Sequence, residues 1–156
     1  LAPHDVSIFD YFVGKPAISI QAQGQKILQK NVFDSTMAEL TYPDNIHGHI
    51  FASWLHPFKE HRLVVIGSKG MLSFEDSSKE KDIIFYDKYI SFEEGLPVKN
   101  ENPEEIISYE KGMALTEELK YFVDHLDSKI EVADGRSGYE VVKVLEEVQS
   151  LLDKSN

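Results

Sequence analysis

Apolar residues recur with a helical period at both ends of the chain and alternate with polar residues in the middle. In the first segment the apolar positions are Ile8, Phe9, Phe12 and Val13. Pro3 suits a first helical turn, where its missing N–H costs nothing. Gly14, followed by Lys15 and Pro16, is typical of a helix end. The pattern therefore predicts a helix from Pro3 to about Val13.

The middle of the chain predicts strands. Its short segments alternate in polarity and are rich in β-branched and aromatic residues: AISIQAQ, STMAELTY, HIFASWL, RLVVIGS, MLSFED and DIIFYDKYISF. Turn signals separate them at Pro43-Asp44-Asn45, at Ser68-Lys69-Gly70 and in the charged residues 76–82. We expect neighbouring antiparallel strands of one sheet. The acidic residues 93–105, which include two prolines, predict an exposed loop.

The last forty residues predict two further helices. One has an apolar stripe formed by Leu115, Leu119, Phe122, Val123 and Leu126, and the next has one formed by Val141, Leu145, Val148 and Leu152. Ser137 and Glu140 have the spacing of a capping box. The order indicates an α+β fold in which helices pack on one face of a large, mostly antiparallel sheet. Because three helices can cover only one face, we expect the other face to be a subunit interface and the chain to form a homodimer or homotetramer.

Charge and composition exclude several classes of partner. The 156 residues include 27 acidic and 16 basic side chains, for a net charge of −11. This charge argues against nucleic acid or an anionic membrane surface as a partner. No apolar run approaches the 18 residues that a membrane span requires. The absence of cysteine excludes disulfides and thiolate metal sites and is consistent with a reducing, cytoplasmic compartment.

Two histidines on one predicted strand raise the possibility of a metal site. His47 and His49 are two residues apart, so their side chains point the same way and can ligate zinc, copper or iron, with His56 or His61 as a third ligand. No third ligand is fixed by the spacing. We therefore expect no metal site, and a metal-binding β domain that uses these histidines remains an alternative.

A cationic cluster follows the only tryptophan. Lys59, His61 and Arg62 lie close together in a chain that is otherwise acidic. They can bind a phosphate or carboxylate of a substrate, or they can pair with nearby acids in a solvated loop. Trp54 is expected in the core or in a subunit interface. The sequence Gly67-Ser68-Lys69-Gly70 fits a hairpin turn better than a phosphate-binding loop.

His4 lies at the start of the first predicted helix. The positive end of a helix dipole disfavours an imidazolium ion, so a neutral imidazole is expected there. A neutral imidazole can accept a proton near pH 7. The neighbouring Asp5 carboxylate opposes this effect.

Three stretches together resemble a known family. In order, LAPHDVSIFDYFVGKP, ASWLHPFKEHRLVVIGSKGMLSFED and DGRSGYEVVKVLEEVQSLL are similar to the C-terminal domain of the glucose-fructose oxidoreductase, inositol dehydrogenase and MocA (Gfo/Idh/MocA) family. The resemblance is strongest to its sugar-nucleotide 3-dehydrogenases. It implies that residues 1–156 are a single substrate and oligomerisation domain, and that an N-terminal Rossmann domain lies outside this chain.

The resemblance also implies a function. The full-length protein would be an oxidoreductase that transfers a hydride between a hydroxyl of a sugar or sugar nucleotide and NAD or NADP, which the absent domain binds. His4 would be the catalytic residue, in an Asp-x-x-x-His motif whose aspartate precedes Leu1. Lys59 and Arg62 are candidate substrate contacts, and the chain alone would be inactive. The alternative is a non-catalytic dimerisation or ligand-sensing module.

Overall fold

The computed structural model describes residues 2–154 and confirms the α+β fold class. The helices are α1 (Pro3–Val13), α2 (Ala114–Asp124) and α3 (Gly135–Lys154). The first strands are β1 (Ser19–Gln25), β2 (Ser35–Tyr42) and β3 (Ile46–Ser53), with a short 3₁₀ turn over Pro43–Asn45. The remaining strands are β4 (Arg62–Gly67), β5 (Gly70–Glu75), β6 (Ile83–Tyr86), β7 (Lys88–Glu93), β8 (Leu96–Glu101) and β9 (Glu105–Ile107). None of the described helices is both long and apolar enough to cross a bilayer.

The described strands form three antiparallel sheets, so the expectation of one continuous sheet was wrong. Their strand orders are β1-β2-β3, β4-β5-β6-β9 and β7-β8. The chain divides into two compact units: unit 1 contains residues 2–56 and 118–154, and unit 2 contains residues 57–117. β3 ends at Ser53. Pro57, four residues later, has no N–H to donate to a ladder, so the connection to β4 does not continue the strand.

Unit 1 has a core between its sheet and helices α1 and α3. Its fully buried apolar residues are Val6, Ala38, Leu40, Tyr42, Ile50 and Leu152. The predicted stripe of α3 packs against this cluster through Val141, Leu145 and Val148. The predicted bounds of α1 are confirmed, and Gly14 ends the helix in a left-handed conformation with φ of 66°.

The opposite face of the unit 1 sheet is largely polar. Residues paired directly across antiparallel strands share a face, and Glu39 pairs with both Gln21 and His49. Met37 and Phe51 are the apolar members of this face, and both are exposed. The open face of this sheet is thus not suited to an apolar interface.

Unit 2 is built differently, because its four-stranded sheet is apolar on both faces. Val64, Ile66 and Ile106 lie on one face, and Val65, Leu72 and Ile107 lie on the other. All six are at least 36% exposed. None of the described residues of unit 2 is fully buried.

Three local expectations need correction. Residues 93–105 contain β8 and the start of β9, because Glu94 and Gly95, with φ of 51° and 81°, form the two-residue hairpin turn that joins β7 to β8. The helix α3 is capped by Asp134, whose Oδ1 accepts the Ser137 N–H at 2.7 Å, so Ser137 is not the cap. The apolar stripe of α2 is exposed: Leu115, Leu119, Phe122, Val123 and Leu126.

Candidate active site at the start of helix α1

His4 is the second residue of α1 and its side chain is exposed. Ala2 precedes the helix, Pro3 is its first residue, and the Val6 N–H closes the first turn on the Ala2 carbonyl at 3.1 Å. Val6 is 1% exposed and anchors this turn in the core. The imidazole is therefore carried on a fixed turn while its ring remains accessible.

A partly buried polar contact also holds α1 on the sheet. The Tyr42 hydroxyl donates to Asp10 Oδ1 at 3.2 Å, linking the helix to β2. Burial raises the pKa of Asp10, against the lowering effect of this hydrogen bond, and Glu140 raises it further. Burial and the neighbouring Asp10 also raise the pKa of Tyr42. The tyrosine therefore remains a neutral donor near pH 7.

A groove of about 270 Å³ opens beside this helix start. Ala2 and Pro3 form one wall, and Phe33, Asp34 and Trp54 form another. Thr36 of β2, Ala52 of β3 and side chains of α3 complete the lining, so every lining residue belongs to unit 1. Trp54 is 75% exposed, so it does not lie in the core, and the expectation that it lies in a subunit interface remains a prediction. The first turn that carries His4 thus borders a ligand-sized space.

The two candidate substrate contacts lie in unit 2. Arg62 begins β4, and its guanidinium donates to Glu75 Oε2 at 3.2 Å and to Glu60 Oε1 at 3.3 Å. Pairing with nearby acids is the alternative that the sequence left open for this cation. Lys59 lies in the exposed segment before β4. Substrate contact by either residue remains a prediction.

Glu75 organises the entry to β4. Its carboxylate accepts hydrogen bonds from the hydroxyl and N–H of Ser77, from the His61 N–H at 2.9 Å and from Arg62. These donors stabilise the ionised form and lower the pKa of Glu75 to about 2, with the Ser77 hydroxyl as the largest cause. The backbone of His61, the Arg62 guanidinium and Ser77 are therefore all hydrogen-bonded to one carboxylate.

His47 and His49 share an exposed face, as their spacing predicts. His47 Nδ1 lies 3.3 Å and His49 Nε2 lies 3.9 Å from Glu39 Oε1. The ring of His56 instead lies edge-on to Phe51, 6.2 Å away. Within residues 2–154 no group of three or more potential ligands has an arrangement that can hold a metal ion. The absence of a metal site remains a prediction.

Sequence reasoning missed Asp34, the buried acid of the groove. It lies in the polar connection between β1 and β2, one residue before the start of β2. No periodicity marks it, and Phe33-Asp34 matches no motif. Its burial depends on the folded conformation of the connection between β1 and β2 and could not be predicted from the sequence.

Comparison with protein families matches the N-terminal part of the chain, which carries His4 and part of the groove. Residues 1–73 match the sequence model of the GFO/IDH/MocA C-terminal domain. The resemblance to the Gfo/Idh/MocA family is confirmed. The matched residues include α1 with His4, the whole three-stranded sheet of unit 1, Lys59 and Arg62. No curated protein sequence is significantly similar to the chain.

Solved structures share the fold of the chain over 99% of its length. UDP-N-acetylglucosamine 3-dehydrogenase GnnA from Acidithiobacillus ferrooxidans has a TM-score of 0.80 at 17% identity, and 46% of that protein is covered. Aldose-aldose oxidoreductase from Caulobacter crescentus has a TM-score of 0.75 at 12% identity, with 44% covered. The WlbA dehydrogenase from Bordetella pertussis, solved with NADH and UDP-GlcNAcA, has a TM-score of 0.63 at 18% identity, with 42% covered. The chain thus spans a little under half the length of these proteins.

Proposed function

We propose that the chain is the substrate-side and oligomerisation domain of a nicotinamide-dependent oxidoreductase that acts on a hydroxyl of a sugar or sugar nucleotide. The observation that carries the proposal is His4, exposed on the fixed first turn of α1 within the matched residues. The dehydrogenases of similar fold support the choice of substrate. The share of those proteins that the chain covers supports a further domain in the full-length protein.

His4 would act as the general base. Oxidation of an alcohol removes a hydride from carbon and a proton from oxygen, and the oxygen needs an acceptor for that proton. The exposed imidazole can accept it directly from a bound hydroxyl. In the reverse direction the imidazolium would return the proton to the carbonyl oxygen.

The cofactor does not fit this chain. NAD or NADP, when bound, supplies the hydride acceptor. Its pyrophosphate requires a glycine-rich turn from a strand into a helix. Among residues 2–154 no helix begins in that way, and Gly67-Ser68-Lys69-Gly70 joins β4 to β5 as a hairpin. We assign the cofactor to another domain and derive no step through it.

We also infer that the protein assembles from copies of this chain through the unit 2 sheet. Both faces of that sheet expose large apolar side chains, whereas the open face of unit 1 is polar. Apolar surface of this kind is typical of obligate interfaces. The absence of cysteine supports a cytoplasmic location.

Steady-state kinetics of the full-length protein with UDP-N-acetylglucosamine and NAD or NADP test the catalytic role. We expect His4→Ala to lower kcat by about 10²–10⁴-fold and to change KM much less, because a positioned base contributes mainly in the transition state. His4→Asn should recover little, since an amide cannot take a proton. Ser7→Ala, at an exposed position one turn along the same helix, is the matched control.

Thermal melts of the three variants separate catalysis from folding. Normal kcat in folded His4→Ala and His4→Asn would refute the role of His4. A full-length protein that shows no hydride transfer with any sugar or sugar nucleotide would instead support the non-catalytic module.

A further inference from the structure

The groove beside α1 contains a buried carboxylate with one oxygen occupied. Asp34 is 4% exposed, and its Oδ2 accepts the N–H groups of Ile27 and Leu28, both at 2.6 Å. These bonds fix the connection between β1 and β2. They also hold the carboxylate in one orientation, because both donors bind the same oxygen.

The other oxygen of Asp34, Oδ1, accepts no hydrogen bond from the residues that the structure describes. Within residues 2–154, no side-chain nitrogen or oxygen that is fully buried lacks a partner. Oδ1 therefore keeps its contact with solvent, and Asp34 lines the groove. A rigid carboxylate oxygen is thus available to accept a hydrogen bond from a ligand.

An aromatic surface stands next to this acceptor. The Trp54 N–H donates to the Asp34 carbonyl at 2.8 Å, which fixes the backbone of the tryptophan beside the acid. Its side chain is 75% exposed and lines the groove. Large apolar side chains are usually covered, so an exposed indole beside a buried acid indicates a surface that meets a ligand. Gln149 of α3 adds an amide to the lining.

We infer that this groove binds a neutral sugar ring, with ring hydroxyls donating to Asp34 Oδ1 and an apolar face of the ring stacked on Trp54. Hydroxyl groups supply the donors that a carboxylate needs, and the C–H face of a pyranose suits an indole. An anionic ligand does not fit, because the groove is lined by an acidic side chain and the chain carries a net charge of −11. Identifying this sugar with the substrate rests on the proposed function.

The size and place of the groove agree with this ligand. Drug-sized ligands occupy pockets of about 300–1,000 Å³, so about 270 Å³ suits a single ring and leaves a nucleotide outside. Ala2 and Pro3 line the groove, and the next residue is His4. A ring held on Trp54 is therefore bound beside the turn that carries the proposed base.

The single tryptophan makes the test direct. Because Trp54 is the only tryptophan in the chain, its emission reports on this groove alone. We expect N-acetylglucosamine or methyl glucopyranoside to change the emission in a saturable way. Inorganic phosphate and acetate at equal ionic strength should leave the emission unchanged. Saturation by the anions, or no response to either sugar, would overturn the inference.

Variants identify the two contacts. Trp54→Ala and Asp34→Asn should each weaken sugar affinity by about tenfold or more, measured by calorimetry, because each removes one of the two groups that define the site. Phe92→Ala, at an equally exposed aromatic in unit 2, should leave the affinity unchanged. Trp54→Ala keeps the test valid if Asp34→Asn fails to fold, because an exposed side chain contributes little to folding. Sugar affinity unchanged in folded Trp54→Ala would refute the site.

Kinetics of the full-length protein separate this inference from the proposed function. If His4→Ala abolishes turnover and Trp54→Ala leaves the KM for the sugar substrate unchanged, the groove is not the sugar-binding site. The proposed function then still holds. If no sugar or sugar nucleotide supports hydride transfer while the chain still binds sugar through Trp54, the proposed function is wrong. Sugar binding in the groove is then still supported.

Discussion

Unit 1 and unit 2 both contain antiparallel strands, but they differ in how far their apolar side chains are buried. In unit 1 two helices cover one face of the sheet, and the other face is polar. Every fully buried residue of the described chain lies in this unit. In unit 2 the four-stranded sheet is apolar on both faces and has no fully buried residue among residues 57–117. Unit 1 therefore has a hydrophobic core, whereas unit 2 has apolar side chains that remain exposed to solvent.

The difference assigns separate tasks to the two units. A catalytic or binding side chain must be held by packed neighbours if it is to keep its geometry. His4, Asp34 and Trp54 all belong to the unit with the core. An apolar sheet without a core is suited to contact with a second copy. The comparison thus predicts that truncation of a buried apolar residue in unit 1 lowers stability, and that a charge on the exposed apolar sheet of unit 2 weakens assembly.

Truncation of a core residue gives the largest expected contrast between the units. Leu40 is 0% exposed in unit 1, and Ile66 is 76% exposed in unit 2. Leu40→Ala should lower the free energy of unfolding by about 2–5 kcal/mol, because it leaves a cavity as well as losing apolar burial. Ile66→Ala should change it by less than about 0.5 kcal/mol in the monomer.

Denaturant unfolding at a concentration too low for self-association measures both values. Equal losses in the two variants would show that unit 2 has a core comparable to that of unit 1. The comparison would then fail.

A charge on the unit 2 sheet should break the assembly. We expect the chain to be at least a dimer at micromolar concentration and Ile66→Lys to weaken association by about tenfold or more, because a lysine buried in an apolar interface loses its hydration. Gln23→Lys, on the polar open face of unit 1, is the matched control and should have no such effect. Sedimentation velocity measures both.

A wild-type chain that sediments as a monomer would refute self-association. Loss of the oligomer in Gln23→Lys but not in Ile66→Lys would move the interface to unit 1.

The sequence predicted the elements that depend on local pattern. The helical periods of α1 and α3 were confirmed, as was the position of His4 in a first turn, because Pro3 and Gly14 bracket α1 locally. The strand β8 was missed because the acidic residues 93–105 and their two prolines suggested a loop. A proline is tolerated in the two-stranded ribbon of β7 and β8, where both strands are at an edge.

Features that depend on distant residues could not be predicted in this way. Alternating polarity marks each strand but not its neighbour, so the division into three sheets is absent from the pattern. The carboxylate of Asp34 becomes a binding group only when the N–H groups of Ile27 and Leu28 occupy one of its oxygens. That arrangement depends on the fold of a connection that has no periodicity.

Two carboxylates should make the units respond to pH in opposite directions. Hydrogen bonds lower the pKa of Glu75 in unit 2 to about 2, from 4.5. A lowered pKa in the folded state contributes stability that is present above pH 4.5 and lost as the pH falls towards 2. Because the Glu75 side chain is 23% exposed, solvent reduces this contribution, and Glu75→Gln should cost about 1 kcal/mol at pH 7. The cost should disappear as the pH falls through that window.

Asp10 in unit 1 provides the contrast. Burial raises its pKa above 3.8, so the stability it contributes is complete below pH 3.8 and is lost as the pH rises through the higher value of the folded state. Asp10→Asn keeps an acceptor for the Tyr42 hydroxyl and removes the buried charge, so it should leave the stability at pH 7 unchanged or slightly higher. Unfolding of both variants by denaturant between pH 2 and pH 7 tests the pair. A loss in Asp10→Asn at pH 7 as large as that in Glu75→Gln would show that the ionised Asp10 stabilises unit 1, and the opposition between the two units would not hold.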